Sequence, residues 1–482
     1  KNSSNDANKF TDLGYAVVVQ DTRGKFDSDG IFYPFKYERK DGLATIQWIR
    51  SQPWCNGKIA GWGGSYLGYT QWAIADQLDL ITPVVTTGNM YEALYPSGIF
   101  SLATAFNWGL TVDSKTVNNI PPEKIAGSYT ILPLSKADDS TYQQNNFLDD
   151  WLSHPFEDAY WGSINHRSVV SCPIYSVAGW YDIFLMAQIE DFRFQGTQRH
   201  PHSRMIIGPY AHGQIQIETD FKEHSNPYEN WKDVTNFLAS HLIPKKQQEP
   251  FFPSNTTAPY SLFIIHRNEW YSCQEWPPKM STYIPYNFNS NGRLFPNSFD
   301  LDSAAVEYSY NPMEPFSSIG GSFLGTGVGP AFQNPNKNRQ DQVIFEGEPL
   351  NNPLILGGPI EATIYVTTNT PSTDFFVSLQ EVRPDGKIVN IQEGGKKIFS
   401  DASCLPRPQK IEVSLWATAY QVNSNHKIRV AISSSLFPRY NRNLNLAKPI
   451  FEARNSEVAK QTIFFGKNYP SHIRLPVLNL DE

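Results

Sequence analysis

The chain has 482 residues, more than one hydrophobic core serves, so two or three domains are expected. Its 40% hydrophobic and 18% charged residues describe a globular protein, and a net charge of −7 argues against a nucleic-acid or anionic-membrane binder. No apolar run reaches the ~18 residues of a spanning helix. The cysteines at 55, 172, 273 and 404 are too dispersed for a metal motif or a disulfide framework. A reducing, cytoplasmic setting with no metal and no cofactor is the expectation.

The first third alternates strand and helix. "YAVVVQD" (Tyr15 to Asp21) is apolar and β-branched, as a strand buried on both faces should be. In "DGLATIQWIRSQP", Leu43, Ile46 and Ile49 recur at helical spacing until Pro53. "KIAGW" predicts a short strand, "YLGYTQWAIADQ" a buried helix and "LITPVVTTG" a third strand. This rhythm belongs to a mostly parallel sheet covered by helices. From about residue 89 to 167 it stops. Aromatic residues, Tyr95, Trp108 and Trp151 among them, lie between polar stretches, and the segment reads as a helical insertion on the sheet.

The rhythm then returns. "CPIYSVAGWYD" is a strand ending in an acid, "IFLMAQIEDFRF" a helix, "SRMIIGPYAHG" a strand ending in a histidine and "YSLFIIH" a further strand. Beyond about residue 300 the pattern is all β. "EATIYVTTN", "TDFFVSLQEV", "KIEVSLWATAY" and "HKIRVAISSS" are separated by turns such as Pro384-Asp385-Gly386, as in a β-sandwich or jelly roll. The expected fold class is α/β: residues 1–88 and 168–300 form a sheet domain, 89–167 a helical cap and 301–482 a jelly roll.

Ser65 lies between the "KIAGW" strand and the following helix, where a nucleophile elbow would hold its hydroxyl above the sheet. Gly63 stands two residues before it. Leu67 stands two residues after, where the simple G-x-S-x-G pattern has glycine, and Gly68 follows. The motif alone leaves nucleophile and structural turn both open. Chain order adds to the first reading. Asp182 and His212 follow in the order serine, acid, histidine, each after a strand. His212 would be the general base and Asp182 its orienting acid.

Other residues read more plainly. His200 and His202 have no metal-binding partner nearby, and His166 and His241 read as hydrogen-bonded structural histidines. Asp191 is expected to be solvated on its helix, and Asp158 to cap one. "GTGVG" (Gly325 to Gly329) lacks the Lys-Ser/Thr of a phosphate loop and reads as a plain loop.

"GYAVVVQDTRGKFDSDG", "PWCNGKIAGWGGSYLGYTQW", "AGWYDIF" and "IIGPYAHG" together resemble the CocE/NonD (cocaine-esterase-like) acyl esterases. That group is related to X-Pro dipeptidyl peptidases and α-amino-acid ester hydrolases. "YSYNPMEPFSSIGG", "TDFFVSLQEVRPDGK" and "YPSHIRLPV" carry the likeness into the last third. The resemblance implies an α/β-hydrolase core, an inserted helical cap and a C-terminal jelly roll. It implies the triad Ser65, Asp182 and His212, with the Tyr66 backbone N–H as one oxyanion donor. Tyr95, Trp108, Phe184, Phe323 and Leu324 fall at its substrate-pocket positions. In this family a tyrosine hydroxyl from a loop ahead of the "GYAVV" strand is the second oxyanion donor. The sequence begins beyond that loop, and roughly fifty residues are expected ahead of Lys1.

The leading expectation is therefore a serine esterase acting on a small-molecule ester, possible as a homodimer. An X-Pro dipeptidyl peptidase or α-amino-acid ester hydrolase would need carboxylates near Ser65 for a free ammonium; the cap offers candidates, Glu92 for example, but no distinct acidic cluster. A binding protein that keeps the fold without activity is the third reading.

Overall fold

The structure is a computed structural model. It describes all residues except 1, 118, 142–145, 196–199, 214, 216–221, 229–230, 244–257, 299, 334–338, 401–403 and 481–482. Strands β1 (Ala60–Gly64), β2 (Leu80–Val84), β3 (Tyr175–Gly179), β4 (Arg204–Gly208), β5 (Tyr260–Ile264) and β6 (Glu269–Cys273) lie side by side in that order. The first five are parallel and β6 returns antiparallel. β2 and β3 are buried at every position, which is why their sequences are mostly apolar, with only Thr82 and Ser176 polar. Helices α1 (Asn2–Asp12), α2 (Glu38–Arg50) and α3 (Tyr66–Ala73) precede β2.

The "YAVVVQD" run departs from expectation. Tyr15 to Asp21 forms no strand and has no ladder partner among the described residues. Tyr15 and Val17, with Trp62 of β1, find partial cover against the cluster that includes Phe10. Val18 and Val19 are 40% and 60% exposed. Burial on both faces requires strand neighbours on each side, and without them half of the apolar pattern stays in water.

Between β2 and β3 the chain is helical: α4 (Met90–Leu94), α5 (Leu102–Val112), α6 (Pro122–Ser128), α7 (Asn146–Ser153) and α8 (Ala159–Gly162). Phe106, Leu110, Leu148, Trp151 and Trp161 give this region its own core. Helix α9 (Leu185–Gln195) follows β3, and α10 (Trp231–Leu242) packs Val234, Phe237 and Leu238 on the sheet face shared with Phe10.

The rest is β. Twelve strands form one sheet: β7 (Ser281–Asn289), β8 (Arg293–Pro296), β9 (Ala304–Tyr310), β10 (Phe332–Gln333), β11 (Gln342–Glu346), β12 (Leu354–Thr368), β13 (Ser372–Val382), β14 (Ile388–Phe399), β15 (Leu405–Val422), β16 (Lys427–Ser433), β17 (Ala459–Phe465) and β18 (His472–Leu478). Its neighbour order is β10-β14-β13-β16-β11-β8-β7-β18-β12-β17-β9, with β15 beside β12. The β7–β8 hairpin thus joins this sheet ahead of residue 300. Pro384-Asp385-Gly386 makes the β13–β14 turn, where Gly386 takes φ 82°. One apolar cluster runs from Trp180, Phe263 and Ile265 of the first sheet into Leu415, Ala417 and Tyr420 of β15. The β domain is therefore packed onto the α/β layer that carries the site.

Candidate active site

Ser65 is the single residue between β1 and α3. Its φ of 55° and ψ of −124° lie in a region costly for a residue with a Cβ. Two hydrogen bonds hold it there: Ser65 N–H donates to Val84 O (2.9 Å) and Thr86 Oγ1 donates to Ser65 O (2.7 Å). The missing glycine at position 67 has a geometric reason. Helix α3 approaches the sheet closest one residue later, where a Cβ on Gly68 would stand 2.3 Å from Thr86 Cγ2. Leu67 is instead 46% exposed. Tyr66 is the first residue of α3, so its N–H has no carbonyl partner within the helix.

His212 and Asp182 stand in loops after β4 and β3. Tyr181 N–H donates to Tyr210 O (2.9 Å) and Trp180 N–H to Gly208 O (2.9 Å), which ties the two loops together. His212 Nδ1 lies 2.7 Å from Asp182 Oδ2, and His212 Nε2 lies 2.8 Å from Ser65 Oγ. Asp182 is fully buried, and its other oxygen accepts from Phe184 N–H (2.8 Å). A carboxylate only accepts, so the imidazole proton sits on Nδ1 and Nε2 is left to take the serine proton. Sequence reading placed all three residues, and they meet in one relay.

The relay adjoins an apolar cavity lined by Phe35, Tyr66, Met90, Leu94, Trp108, Trp151, Ile183, Phe184 and Leu324, with Ser65 and His212 also in its wall. The Trp108 ring stacks on Phe35 (5.5 Å), Tyr66 (5.9 Å) and Trp151 (6.0 Å). Phe184 stands edge-on to the His212 ring at 5.4 Å. Among the expected pocket residues, Trp108, Phe184 and Leu324 line this cavity. Tyr95 does not: its ring packs on Tyr91 and Phe100, and its hydroxyl donates to Trp151 O (2.8 Å). Phe323 is also outside the lining and packs beside it against the cap core. Ile183 was legible from its place between Asp182 and Phe184. Phe35 carried no signal, because it sits in a loop with φ 69° and no periodicity.

The charged groups nearby are engaged. Asp191, expected in solvent, is fully buried and accepts from Arg167 Nε (2.6 Å), Thr87 Oγ1 (2.7 Å) and Gly88 N–H (2.7 Å). The helix does have a solvent face, where Glu190 pairs with Arg193, but Asp191 lies on the opposite, buried face. Arg167 also makes a two-point pair with Glu92, both contacts at 2.7 Å, so Glu92 is already matched by a cation. Asp158 caps α8 by accepting from Tyr160 N–H and Trp161 N–H. Burial lowers the pKa of His166 to about 4, and the ring packs against Tyr69. Among the described residues, no group of three or more His, Cys, Asp or Glu side chains is placed to hold a metal.

A parallel sheet with serine, acid and histidine in that chain order, here after β1, β3 and β4, is the plan of the α/β-hydrolase class of serine hydrolases. Residues 1–214 match the X-Pro dipeptidyl-peptidase (S15 family) model, and residues 253–474 match the X-Pro dipeptidyl-peptidase C-terminal non-catalytic domain. Over both of these regions the chain is related to the X-Pro dipeptidyl peptidases. It is 28% identical to the cocaine esterase of Rhodococcus sp. (strain MB1 Bresler), over 98% of this chain and 89% of that one. A solved α-amino acid ester hydrolase shares the fold with TM-score 0.82 at 20% identity, over 98% of this chain and 87% of that one. A CocE/NonD family hydrolase from Staphylococcus aureus does so with TM-score 0.66 at 16% identity, over 94% and 78%.

Proposed function

We propose that the protein hydrolyses carboxylic esters with uncharged, apolar acyl groups, through an acyl-enzyme on Ser65. The observation that carries this is the continuous relay Ser65–His212–Asp182, whose Ser65 and His212 line an apolar cavity. Ser65 Oγ attacks the ester carbonyl carbon as His212 Nε2 takes its proton. Tyr66 N–H donates to the oxyanion of the tetrahedral intermediate. The protonated imidazole, stabilised by Asp182, returns the proton to the departing alkoxide, and the alcohol leaves. Water, deprotonated by His212, then attacks the acyl carbon. The acid departs and Ser65 recovers its proton.

The described residues lining the cavity include no Asp, Glu, Lys or Arg. A free α-ammonium would have no counter-charge there, because Arg167 already occupies Glu92. This favours the ester reading over the aminopeptidase or α-amino-ester reading. The four unpaired cysteines fit a reducing compartment, and among the described residues no helix is long and apolar enough to cross a membrane.

A fluorophosphonate should label Ser65, and Ser65→Ala should lose hydrolysis of p-nitrophenyl butyrate. Label at another residue, or activity surviving in Ser65→Ala, would refute the assignment. Faster cleavage of Gly-Pro-p-nitroanilide than of the butyrate would return the protein to the peptidase reading.

A further inference from the structure

We propose that Glu38 is a positioning residue for the oxyanion donor: it holds the Tyr66 side chain so that the Tyr66 N–H stays aimed at the substrate carbonyl. This rests on the assignment of Ser65 as nucleophile and Tyr66 N–H as donor. Glu38 is 6% exposed at the first turn of α2, and its Oε1 accepts the Tyr66 hydroxyl proton. Burial raises the Tyr66 phenol well above its ordinary pKa, so the phenol keeps the proton it donates. The Tyr66 oxygen in turn accepts from Phe35 N–H (3.2 Å), and Glu38 Oε2 accepts from Tyr37 N–H (2.9 Å). The loop ahead of α2 is thus laced to the residue beside the nucleophile.

The neighbouring residue grips the far end of the same helix. Arg39 Nη1 donates to Ala73 O (2.7 Å), the last carbonyl of α3, and the guanidinium pairs with Asp76. Two adjacent side chains of α2 therefore fix the first and last residues of α3. α3 has eight residues and a helix interior with little intrinsic amphipathic drive, so its orientation depends on such contacts. The ring of Tyr66 is clamped as well, stacked on Phe35 at 5.1 Å and on Trp108. Releasing the hydroxyl would let the ring and the backbone it carries tilt. Glu38 touches neither substrate nor reacting atoms.

The test compares Glu38→Leu, Glu38→Gln, Tyr66→Phe and the double variant Glu38→Leu/Tyr66→Phe on p-nitrophenyl butyrate. Tyr66→Phe removes the same hydrogen bond from the other side and leaves the start of α2 intact, which covers the case where Glu38→Leu does not fold. Expected is a fall in kcat of roughly 10- to 100-fold in Glu38→Leu and Tyr66→Phe, with KM within about twofold. Inhibition by an aryl trifluoromethyl ketone, which forms the oxyanion, should weaken by the same ratio. The double variant should be no worse than the worse single variant, and Glu38→Gln, which still accepts the hydroxyl proton, should recover most of the rate. Unchanged kcat, a loss confined to KM, or additive losses would overturn the assignment. Fluorophosphonate labelling of the unaltered enzyme separates the two failures. Without an adduct at Ser65 the triad falls, and this inference with it. With that adduct and unchanged variant kinetics, only the role of Glu38 falls.

Discussion

Asp182 holds an imidazole with one oxygen and a backbone N–H with the other, so the two ends of its carboxylate are not interchangeable. Asp182→Asn would offer His212 an amide in place of a pure acceptor and favour the wrong tautomer. A loss of about ten-thousand-fold in kcat with nearly native stability is expected from steady-state kinetics and thermal unfolding. His166 leads to a different measurement. Burial, reinforced by the charge of Arg39, drops its pKa to about 4, while Asp76 acts in the opposite sense. The unfolded chain therefore binds a proton near pH 6.5 that the native state refuses. Stability is full above that pH and is lost as pH falls toward 4, by roughly 3 kcal/mol from this group. Urea titrations from pH 7 to 4.5 should show that slope, and His166→Gln should flatten it. At this scale the proposed triad could be read from the sequence because its chemistry restricts it to few residue types after strands. Glu38 and Phe35 could not, since a loop meeting a helix start across 28 to 31 positions leaves no periodic trace.

Helix α3 must lie close against the turn after β2, and this decides its composition. Gly68→Ala would drive a methyl into Thr86 Cγ2 and should cost about 1–3 kcal/mol in chemical denaturation. Adding Thr86→Ser removes that methyl and keeps the hydroxyl bonded to Ser65 O, but Thr86 Cβ still stands 2.8 Å from the added carbon, so the double variant should recover only part of the loss. Helix α9 makes a complementary case. Its Asp191 and the cap's Glu92 share one guanidinium, so Arg167→Met would strand a fully buried carboxylate. A destabilisation of about 3–5 kcal/mol is expected by the same assay. Most elements were legible from periodicity, α2 and α9 among them, because their apolar residues recur at helical spacing. Two local expectations failed for one physical reason. Pattern reports which residues could be buried, while burial itself depends on neighbours elsewhere in the chain. Among the described residues Tyr15 to Asp21 has no ladder partner, while Asp191 is fully buried.

The α/β layer and the β domain share one apolar cluster, and polar contacts cross it too. Gln392 of β14 donates to Trp180 O (2.7 Å) and to Ala417 O (2.9 Å), and Ile265 exchanges backbone bonds with β15. Scanning calorimetry should therefore show a single cooperative transition for both regions, and two resolved peaks would contradict a merged core. The cavity is a joint construction as well. Leu324 reaches it from a β-domain loop whose backbone is tied to α5, with Asn107 Nδ2 donating to Leu324 O (2.6 Å) and Leu324 N–H donating to Thr104 Oγ1 (3.3 Å). On the proposed function, one wall of the acyl cavity thus comes from a stretch of polypeptide that holds none of Ser65, Asp182 and His212. Substitutions at that tip can retailor which molecules are accepted while the machinery that breaks them stays untouched, a division of labour that leaves selectivity free to drift.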